Sequence, residues 1–131
     1  MATANFDLKS RTEKFAHRCV KLSLTLGLEP LSDHIKKQLI RCSTSLAANY
    51  RAACVAQSKA SFVSKLSIAI EEADESFFWM QFIIDEHLIE ENMVQPLLGE
   101  AKELTAILIA SRKTAKNRAL EFITSDKKEK I

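Results

Sequence analysis

The sequence is poor in the residues that turn a chain. It has 2 Gly and 2 Pro among 131 residues, too few for the many turns of a β-sheet protein. Residues that favour helices, above all Ala, Leu, Lys and Glu, are abundant. A chain of this length fits one domain with one core. The composition therefore predicts a single all-α domain.

The sequence also lacks a long apolar run. The first residues, MATANFDLKSR, contain no apolar signal core, and no stretch approaches the roughly 18 uncharged apolar residues that cross a bilayer. We therefore expect a cytoplasmic protein. The cysteines Cys19, Cys42 and Cys54 are odd in number and lie within helical patterns, which argues against a disulfide framework. We expect Cys19 and Cys42 to be small buried apolar groups.

Four segments carry apolar residues at helical spacing, as Phe15, Cys19, Leu22 and Leu26 do in the first. The spacing predicts helices over residues 7–26, 32–57, 61–88 and 92–118 of a domain that spans 1–118. A charged, disordered tail is expected over 119–131. Connections this short favour antiparallel neighbours, so we predict an up-down-up-down four-helix bundle.

The helix ends are predicted from capping residues. Gly27 is expected to take the left-handed conformation after the first helix, and Ser32 with Asp33 to cap the second. Ser58 is expected to cap the third helix. Asn92 is expected to cap the fourth, with Pro96 in its first turn.

The third segment carries more apolar surface than one helical face can hold. Seven of the eight residues from Phe77 to Ile84 are apolar. A strand would also explain this run, but Ile70 to Glu75 leads into it without a turn signal, so we predict a continuous helix. We expect Phe77, Phe78, Trp79 and Phe82 to contact another subunit, because three helices of one chain cannot cover them.

Charge is unevenly distributed along the chain. Residues 1–57 carry nine basic and four acidic side chains, whereas residues 58–88 carry two basic and six acidic ones. A basic surface for nucleic-acid phosphates or an acidic protein is predicted from Lys9, Arg11, Lys14, Arg18, Lys21, Lys36 and Lys37. The alternative is a solvated face or pairing with the acidic third segment, since no aromatic residues interleave with these bases.

A structural polar network is expected between the second and third helices. Their hairpin predicts that facing residues have numbers that sum to about 115, which places Glu72 and Glu75 level with Arg41, with His17 nearby. Asn49 and Arg51 lie among small residues. Arg51 is either solvated or reaches a carboxylate of a neighbouring subunit.

The sequence offers no arrangement typical of catalysis. Di-metal four-helix bundles use Glu-x-x-His pairs, but His17, His34 and His87 follow Lys14, Leu31 and Ile84 at that spacing. The adjacent glutamates diverge on one helix, and no cysteine or histidine spacing implies a nucleophilic dyad. We therefore predict no enzyme activity, no metal and no cofactor.

Several motifs together resemble one known family. They are Arg41, Ser45, Ala48-Asn49-Tyr50-Arg51-Ala52-Ala53-Cys54, Ser61-Phe62, Glu71-Glu72-Ala73-Asp74-Glu75, Phe78-Trp79 and Pro96-Leu97-Leu98. The chain resembles, over about residues 7 to 116, the four-helix bundle proteins encoded in intervening sequences of bacterial 23S ribosomal RNA genes. Many members end the second helix with Ala-Asn-Ile-Ala-Glu-Gly, whereas Tyr50, Arg51, Ala52 and Ala53 replace the last four residues here.

The resemblance carries expectations about assembly and function. It implies a homo-oligomer, commonly a ring of five subunits, and no established catalytic activity. A relative, the accessory variability protein of diversity-generating retroelements, partners a reverse transcriptase and nucleic acid. We predict a homo-oligomeric binding or scaffold protein whose first two helices contact nucleic acid or a nucleic-acid enzyme. The alternative is a purely structural or operon-partner interaction protein without nucleic-acid contact.

Overall fold

The computed structural model describes the backbone of residues 4–129 and the side chains of residues 8–118. Its four helices are α1 (Ala4–Ser23), α2 (Pro30–Cys54), α3 (Lys59–Asp85) and α4 (Glu91–Glu129). No strand occurs between residues 4 and 129. The prediction of an all-α domain with four helices is confirmed, and α3 passes unbroken through Phe77 to Ile84, so the strand alternative is wrong.

The four helices pack around one apolar core. Helix α2 packs on α1 and α3, and α4 packs on α3 and α1. The fully buried side chains include Phe15 of α1, Leu39 of α2, Met80 of α3 and Leu104 of α4. Burying one side chain of this size contributes about 1.5–3 kcal/mol. Between residues 4 and 129, no helix has both the length and the hydropathy to cross a membrane.

The α1–α2 connection does not use Gly27 as predicted. Helix α1 ends at Ser23, and tight backbone bonds follow, from Thr25 N–H to the Leu22 carbonyl (3.1 Å) and from Leu26 N–H to the Ser23 carbonyl (3.0 Å). The Thr25 hydroxyl also donates to the Leu22 carbonyl at 2.7 Å. No glycine in the described chain has a positive φ. The left-handed prediction for Gly27 is wrong because these bonds already satisfy the terminal carbonyls.

The start of α2 also differs from the prediction. Pro30 is the first helical residue, Glu29 is the N-cap, and Ser32 lies inside the first turn. The Ser32 hydroxyl donates to the Glu29 carboxylate, which lowers the pKa of that carboxyl. The prediction that Ser32 caps the helix is therefore wrong. Proline fits the first position because its missing N–H has no intrahelical partner there.

The α2–α3 connection contains the predicted cap. Ser58 has an extended backbone, and its side-chain oxygen accepts a hydrogen bond from the Ser61 N–H at 3.0 Å. This bond satisfies one of the free donors at the start of α3. The prediction of Ser58 as the N-cap is confirmed, although α2 ends at Cys54, three residues earlier than expected.

Helix α3 ends in a Schellman motif built on a histidine. His87 has a φ of 55°. The Leu88 N–H bonds to the Ile83 carbonyl and the His87 N–H to the Ile84 carbonyl, both at 3.0 Å. These are the two bonds that define the motif, and its left-handed residue is usually glycine. Because the chain reverses at His87, α3 ends at Asp85 rather than at Leu88.

Helix α4 is longer than predicted at its carboxyl end and starts one residue earlier. It begins at Glu91, so Asn92 lies inside the helix and Pro96 lies in the second turn. The predictions of Asn92 as cap and Pro96 in the first turn are wrong. The helix continues to Glu129, whereas the sequence predicted a disordered tail from residue 119. Residues 119–129 contain several helix-favouring residues and no Gly or Pro, so nothing local ends the helix at Arg118.

We expect the change His87→Gly to stabilise the fold. A left-handed conformation costs a residue with a β-carbon about 1–2 kcal/mol, and glycine removes this cost. Part of the resulting stabilisation is offset because glycine has greater freedom in the unfolded chain. The net increase in the free energy of unfolding should be about 0.5–1 kcal/mol, measured by urea denaturation. The variant His87→Ala keeps the β-carbon and should give no such gain. Equal effects from both changes would contradict the assignment.

Candidate functional site

A network of charged and aromatic side chains joins α2 to α3. Arg41 Nη1 lies 3.1 Å from Glu72 Oε2, and Arg41 Nη2 forms an ion pair with Glu75. The Trp79 indole N–H donates to Glu75 Oε2 at 3.1 Å. The numbers 41 and 72 sum to 113, and 41 and 75 sum to 116, close to the value of 115 expected from the hairpin. His34 against Trp79 follows the same relation, so residue numbers rise along α2 as they fall along α3.

This network acts on geometry more than on stability. The Arg41 side chain is 48% exposed, whereas Glu72 is 12% exposed. The hydrogen bond to Glu75 raises the pKa of the Arg41 guanidinium, so the arginine keeps its charge. Ion pairs as exposed as this one contribute little to stability because water screens them. Their value lies in fixing the register between α2 and α3, which positions the aromatic residues that follow.

The other three residues predicted for this network lie apart from it. His17 lies on the exposed side of α1. Among the described side chains, it forms no hydrogen bond or ion pair with Arg41. The Asn49 amide donates to Ser45 of its own helix, to the carbonyl at 2.9 Å and to the hydroxyl at 3.0 Å. Arg51 is exposed, and no carboxylate among the described side chains pairs with it.

Four neighbouring side chains form what we call the α3 aromatic surface: Phe77, Phe78, Trp79 and Phe82. Phe78 is 53% exposed, while the other three are partly buried against the core. The Phe78 and Trp79 rings meet edge to face with centroids 4.9 Å apart, and His34 meets Trp79 in the same way at 5.4 Å. An exposed aromatic ring that adjoins partly buried ones is typical of an interaction surface.

The predicted basic surface is narrower than the sequence suggested. Lys14, Arg18 and Lys21 lie exposed along α1 at spacings of four and three residues, which places them on one helical face. Lys37 forms an ion pair with Asp33 at 2.9 Å, one turn away. Lys9 and Lys36 are partly buried. We call Lys14, Arg18 and Lys21 the α1 basic stripe.

Arg11 is committed to a contact within the bundle. Its Nη2 lies 2.7 Å from Glu100 Oε1, and its Nε donates to Glu100 Oε2 at 3.2 Å, so the pair is bidentate. Glu103 lies 3.3 Å from the same Nη2. The hydrogen bond to Glu100 raises the pKa of Arg11. With side chains only 25% and 20% exposed, this pair joins α1 to α4 and is poorly placed to bind phosphate.

A buried layer of small polar groups crosses the middle of the bundle. The Ser76 hydroxyl lies 3.2 Å from Cys42 Sγ and 2.8 Å from the Glu72 carbonyl oxygen. Burial raises the pKa of the Cys42 thiol to about 11, and burial also raises the pKa of Cys19. No group of three or more His, Cys, Asp or Glu in the described part of the chain is arranged to hold a metal ion.

A model of the family described as 23S rRNA-intervening sequence protein matches residues 4–110. The chain belongs to the 23S rRNA-intervening sequence protein family. A crystal structure at 1.70 Å resolution of a protein of unknown function from the S23 ribosomal protein family, from Bacteroides thetaiotaomicron, is 32% identical. The alignment covers 85% of this chain and 99% of that one, with a TM-score of 0.78. A comparison with curated proteins gave no significant match.

Membership of the intervening sequence protein family agrees with the resemblance inferred from the motifs around Arg41, Asn49 and Glu72. The match ends at residue 110, whereas α4 continues to Glu129. The last turns of α4 described in this structure therefore lie outside the part shared with the family.

Sequence reasoning missed two contacts that shape the site. The sequence predicts Trp79 only as apolar interface surface, yet its indole N–H bonds to Glu75. A spacing of four residues on one helix is the signal that could have found this pair. Arg11 was assigned to a partner surface, and no local signal could have placed it against Glu100, because the two residues are 89 positions apart.

We expect the native protein to expose one reactive thiol per chain. Cys54 is exposed, whereas Cys19 and Cys42 are buried. At pH 8 almost no Cys42 thiolate exists when its pKa is about 11, and the thiolate is the reacting species. Iodoacetamide followed by mass spectrometry should label Cys54 alone, and the change Cys54→Ser should abolish the fast reaction. Rapid labelling of two or three thiols in the folded chain would contradict the burial described above.

Proposed function

We propose that this intervening sequence protein is a non-catalytic, homo-oligomeric binding or scaffold protein. The observation that carries the proposal is the α3 aromatic surface, with Phe78 more than half exposed at its centre. Water contact with such a surface is unfavourable by about 25 cal/mol per Å² of apolar area, so association that covers it is favoured. A second copy of the chain is the partner always present where the protein is made.

The proposed assembly is a ring of up-down-up-down bundles, and a ring of five is favoured by the resemblance to the family. The opposite run of contacts along α2 and α3 supports the antiparallel order for that pair. Head-to-tail contacts that close through rotation generate rings, and they require two different surfaces on each subunit. Arg51 is a candidate for the second surface, because it is exposed and free of a carboxylate among residues 8–118.

The proposed ligand of the assembly is nucleic acid or a nucleic-acid enzyme, bound through the α1 basic stripe. Lys14, Arg18 and Lys21 are exposed on one helical face. A ring repeats the stripe in every subunit, so weak phosphate contacts add up across the assembly. Arg11 and Lys37 contribute less, since each is already paired with a carboxylate of its own chain.

The proposal also includes two further points: the protein has no catalytic role, and it is located in the cytoplasm. Arg41, Glu72 and Glu75 bind one another, an arrangement that suits a structural network better than proton transfer. The second candidate function is a purely structural or operon-partner protein that binds no nucleic acid. The pairing of Arg11 and Lys37 with carboxylates favours this alternative, because it reduces the basic surface to a narrow stripe.

The change Phe78→Glu is expected to dissociate the oligomer. Phe78 contributes exposed apolar area to the α3 aromatic surface, so a carboxylate there should be tolerated by the isolated fold but not by an interface. Sedimentation velocity should show an oligomer for the unchanged protein and a smaller species for the variant, at the same concentration and with unchanged circular dichroism.

The matched control for this test is Ile109→Glu. Ile109 is a large apolar residue of α4 that is 43% exposed and lies outside the α3 aromatic surface. It should leave the oligomer intact. A monomeric unchanged protein would remove the proposal of self-association, and equal dissociation by both variants would remove the α3 aromatic surface as its interface.

Binding to RNA is expected to depend on salt and on the α1 basic stripe. A fluorescent fragment of ribosomal RNA should bind at low ionic strength, and its affinity should fall as salt rises, because bound counterions are released. The triple change Lys14→Glu, Arg18→Glu and Lys21→Glu should weaken binding at least about tenfold in an anisotropy titration. Lack of affinity at low salt would favour the purely structural alternative.

A further inference from the structure

An open groove lies at the end of the bundle where α2 connects to α3. Its volume is about 910 Å³. Apolar lining residues, which we call its floor, are Ala53, Phe62, Ile107, Ala110 and Ala115, and the uncharged polar lining residues are Gln57, Ser58, Ser111 and Thr114. Lys59 and Arg118 lie on its lining, and so does Cys54, while α1 contributes no described residue to it. We call this feature the end groove.

The charged side chains among the described lining of the end groove, Lys59 and Arg118, are both basic. The sequence contains no Asp or Glu from His34 to Ile70, nor from Leu104 to Leu120. These two ranges contain all the described residues that line the groove. The basic residues of the same part of α2, α3 and α4 are Arg51, Lys59, Lys65, Arg112, Lys113, Lys116 and Arg118. None of the described carboxylates pairs with Lys59 or Arg118.

The shape of the end groove fits a helix. Its α4 wall runs from Ile107 to Arg118, and the eleven steps between these twelve residues, at about 1.5 Å each, give about 16 Å, or three helical turns. The described walls come from the end of α2, the α2–α3 connection, the start of α3 and the far part of α4. A further helix lying along α4 would complete a four-sided packing at this end of the bundle.

We propose that the end groove binds an acidic amphipathic helix of a partner protein, with apolar side chains on the alanine-rich floor and carboxylates facing Lys59 and Arg118. Small side chains on a groove floor allow close approach of a helix. The floor of the end groove has three of them, the alanines at residues 53, 110 and 115. Anchor residues at i, i+3, i+4 and i+7 are the usual means by which a helix fills an apolar groove.

A peptide fits this groove better than a nucleic acid does. Phosphates and riboses would leave the apolar floor in contact with polar groups. The floor also lacks an exposed ring on which a base could stack, because Phe62 is partly buried against the core. Negative charge alone would suit a nucleic acid as well as an acidic peptide. The apolar floor is the feature that favours the amphipathic helix.

This binding site is separate from the function proposed above. It lies on neither the α3 aromatic surface nor the α1 basic stripe. Part of it, from Ser111 to Arg118, lies beyond residue 110, where the match to the family ends. The end groove can therefore recruit a partner whether or not the chain forms a ring.

The test uses an acetylated, fluorescein-labelled peptide of 14 residues with Leu at i, i+3, i+4 and i+7 and Glu at the flanking positions. Fluorescence anisotropy with the full-length protein should show saturable binding at moderate salt. The double change Lys59→Glu and Arg118→Glu should weaken it at least about tenfold, because both charges that face the ligand are reversed.

The matched control is the double change Lys113→Glu and Lys116→Glu. It alters the net charge equally on the same part of the bundle, but neither residue lines the groove. It should weaken binding less than about threefold. Equal losses from the two double variants would overturn the proposal, because they would show attraction to a diffuse basic end rather than to the groove.

Cys54 supplies a second readout at the groove itself. It lines the end groove and is the exposed cysteine of the chain. The bound peptide should slow its modification by iodoacetamide, whereas a peptide of the same composition in scrambled order should not. Unchanged labelling at a saturating peptide concentration would overturn the proposal.

Two further outcomes separate the proposals from each other. The variant Phe78→Glu should bind the peptide normally even if it no longer assembles. An RNA fragment that binds in place of the peptide, and loses affinity with Lys59→Glu and Arg118→Glu but not with changes in the α1 basic stripe, would overturn the peptide assignment and place nucleic acid at the groove. Failure of the peptide to bind the folded protein would overturn it as well.

Discussion

The rest of the structure depends on the width of the apolar surface of α3. A helix in a four-helix bundle buries a stripe, and α3 fills that stripe with residues such as Leu66, Ala73 and Met80. The run from Phe77 to Ile84 then adds rings on both flanks, and Phe78 remains more than half exposed. Three companion helices cover only one side of a fourth, so part of the surplus stays exposed to solvent in the single chain. The proposed self-association follows from this geometry.

Charge determines how the remaining surfaces are divided. Arg41 binds two carboxylates of α3, and Arg11 binds Glu100 of α4, so these two cations hold helices together instead of facing a ligand. Most of the cations left without carboxylates among the described side chains lie along α1 or around the end groove, whereas Lys36 and Lys102 lie elsewhere. The two places differ in chemistry, because only the groove has an apolar floor. This difference is why we propose different ligands for them.

Local signals predicted the four helices correctly, but they predicted only some of the helix ends. Ser58 capped α3 as expected because an N-cap depends on the side chain's own short reach to the Ser61 N–H. Gly27 did not take the left-handed conformation, and His87 did, since the path of the chain between packed helices decides which residue reverses it. The ion pairs of the site likewise include one that local signals predicted and one that they did not. The pairing of Arg41 with Glu72 and Glu75 was predictable from a short hairpin, whereas that of Arg11 with Glu100 was not.

The sequence by itself determined the class, the number of helices and the family, because helical periodicity and motif residues are local properties of the chain. It also determined that α3 carries surplus apolar residues. Only the tertiary structure decided which of the predicted basic residues remain exposed and unpaired. The physical reason is that a residue such as Arg11 forms an ion pair with a helix that is distant in sequence. The end groove is likewise a tertiary feature. Its described residues come from α2, the α2–α3 connection, α3 and α4, and they are spread from Ala53 to Arg118 along the chain.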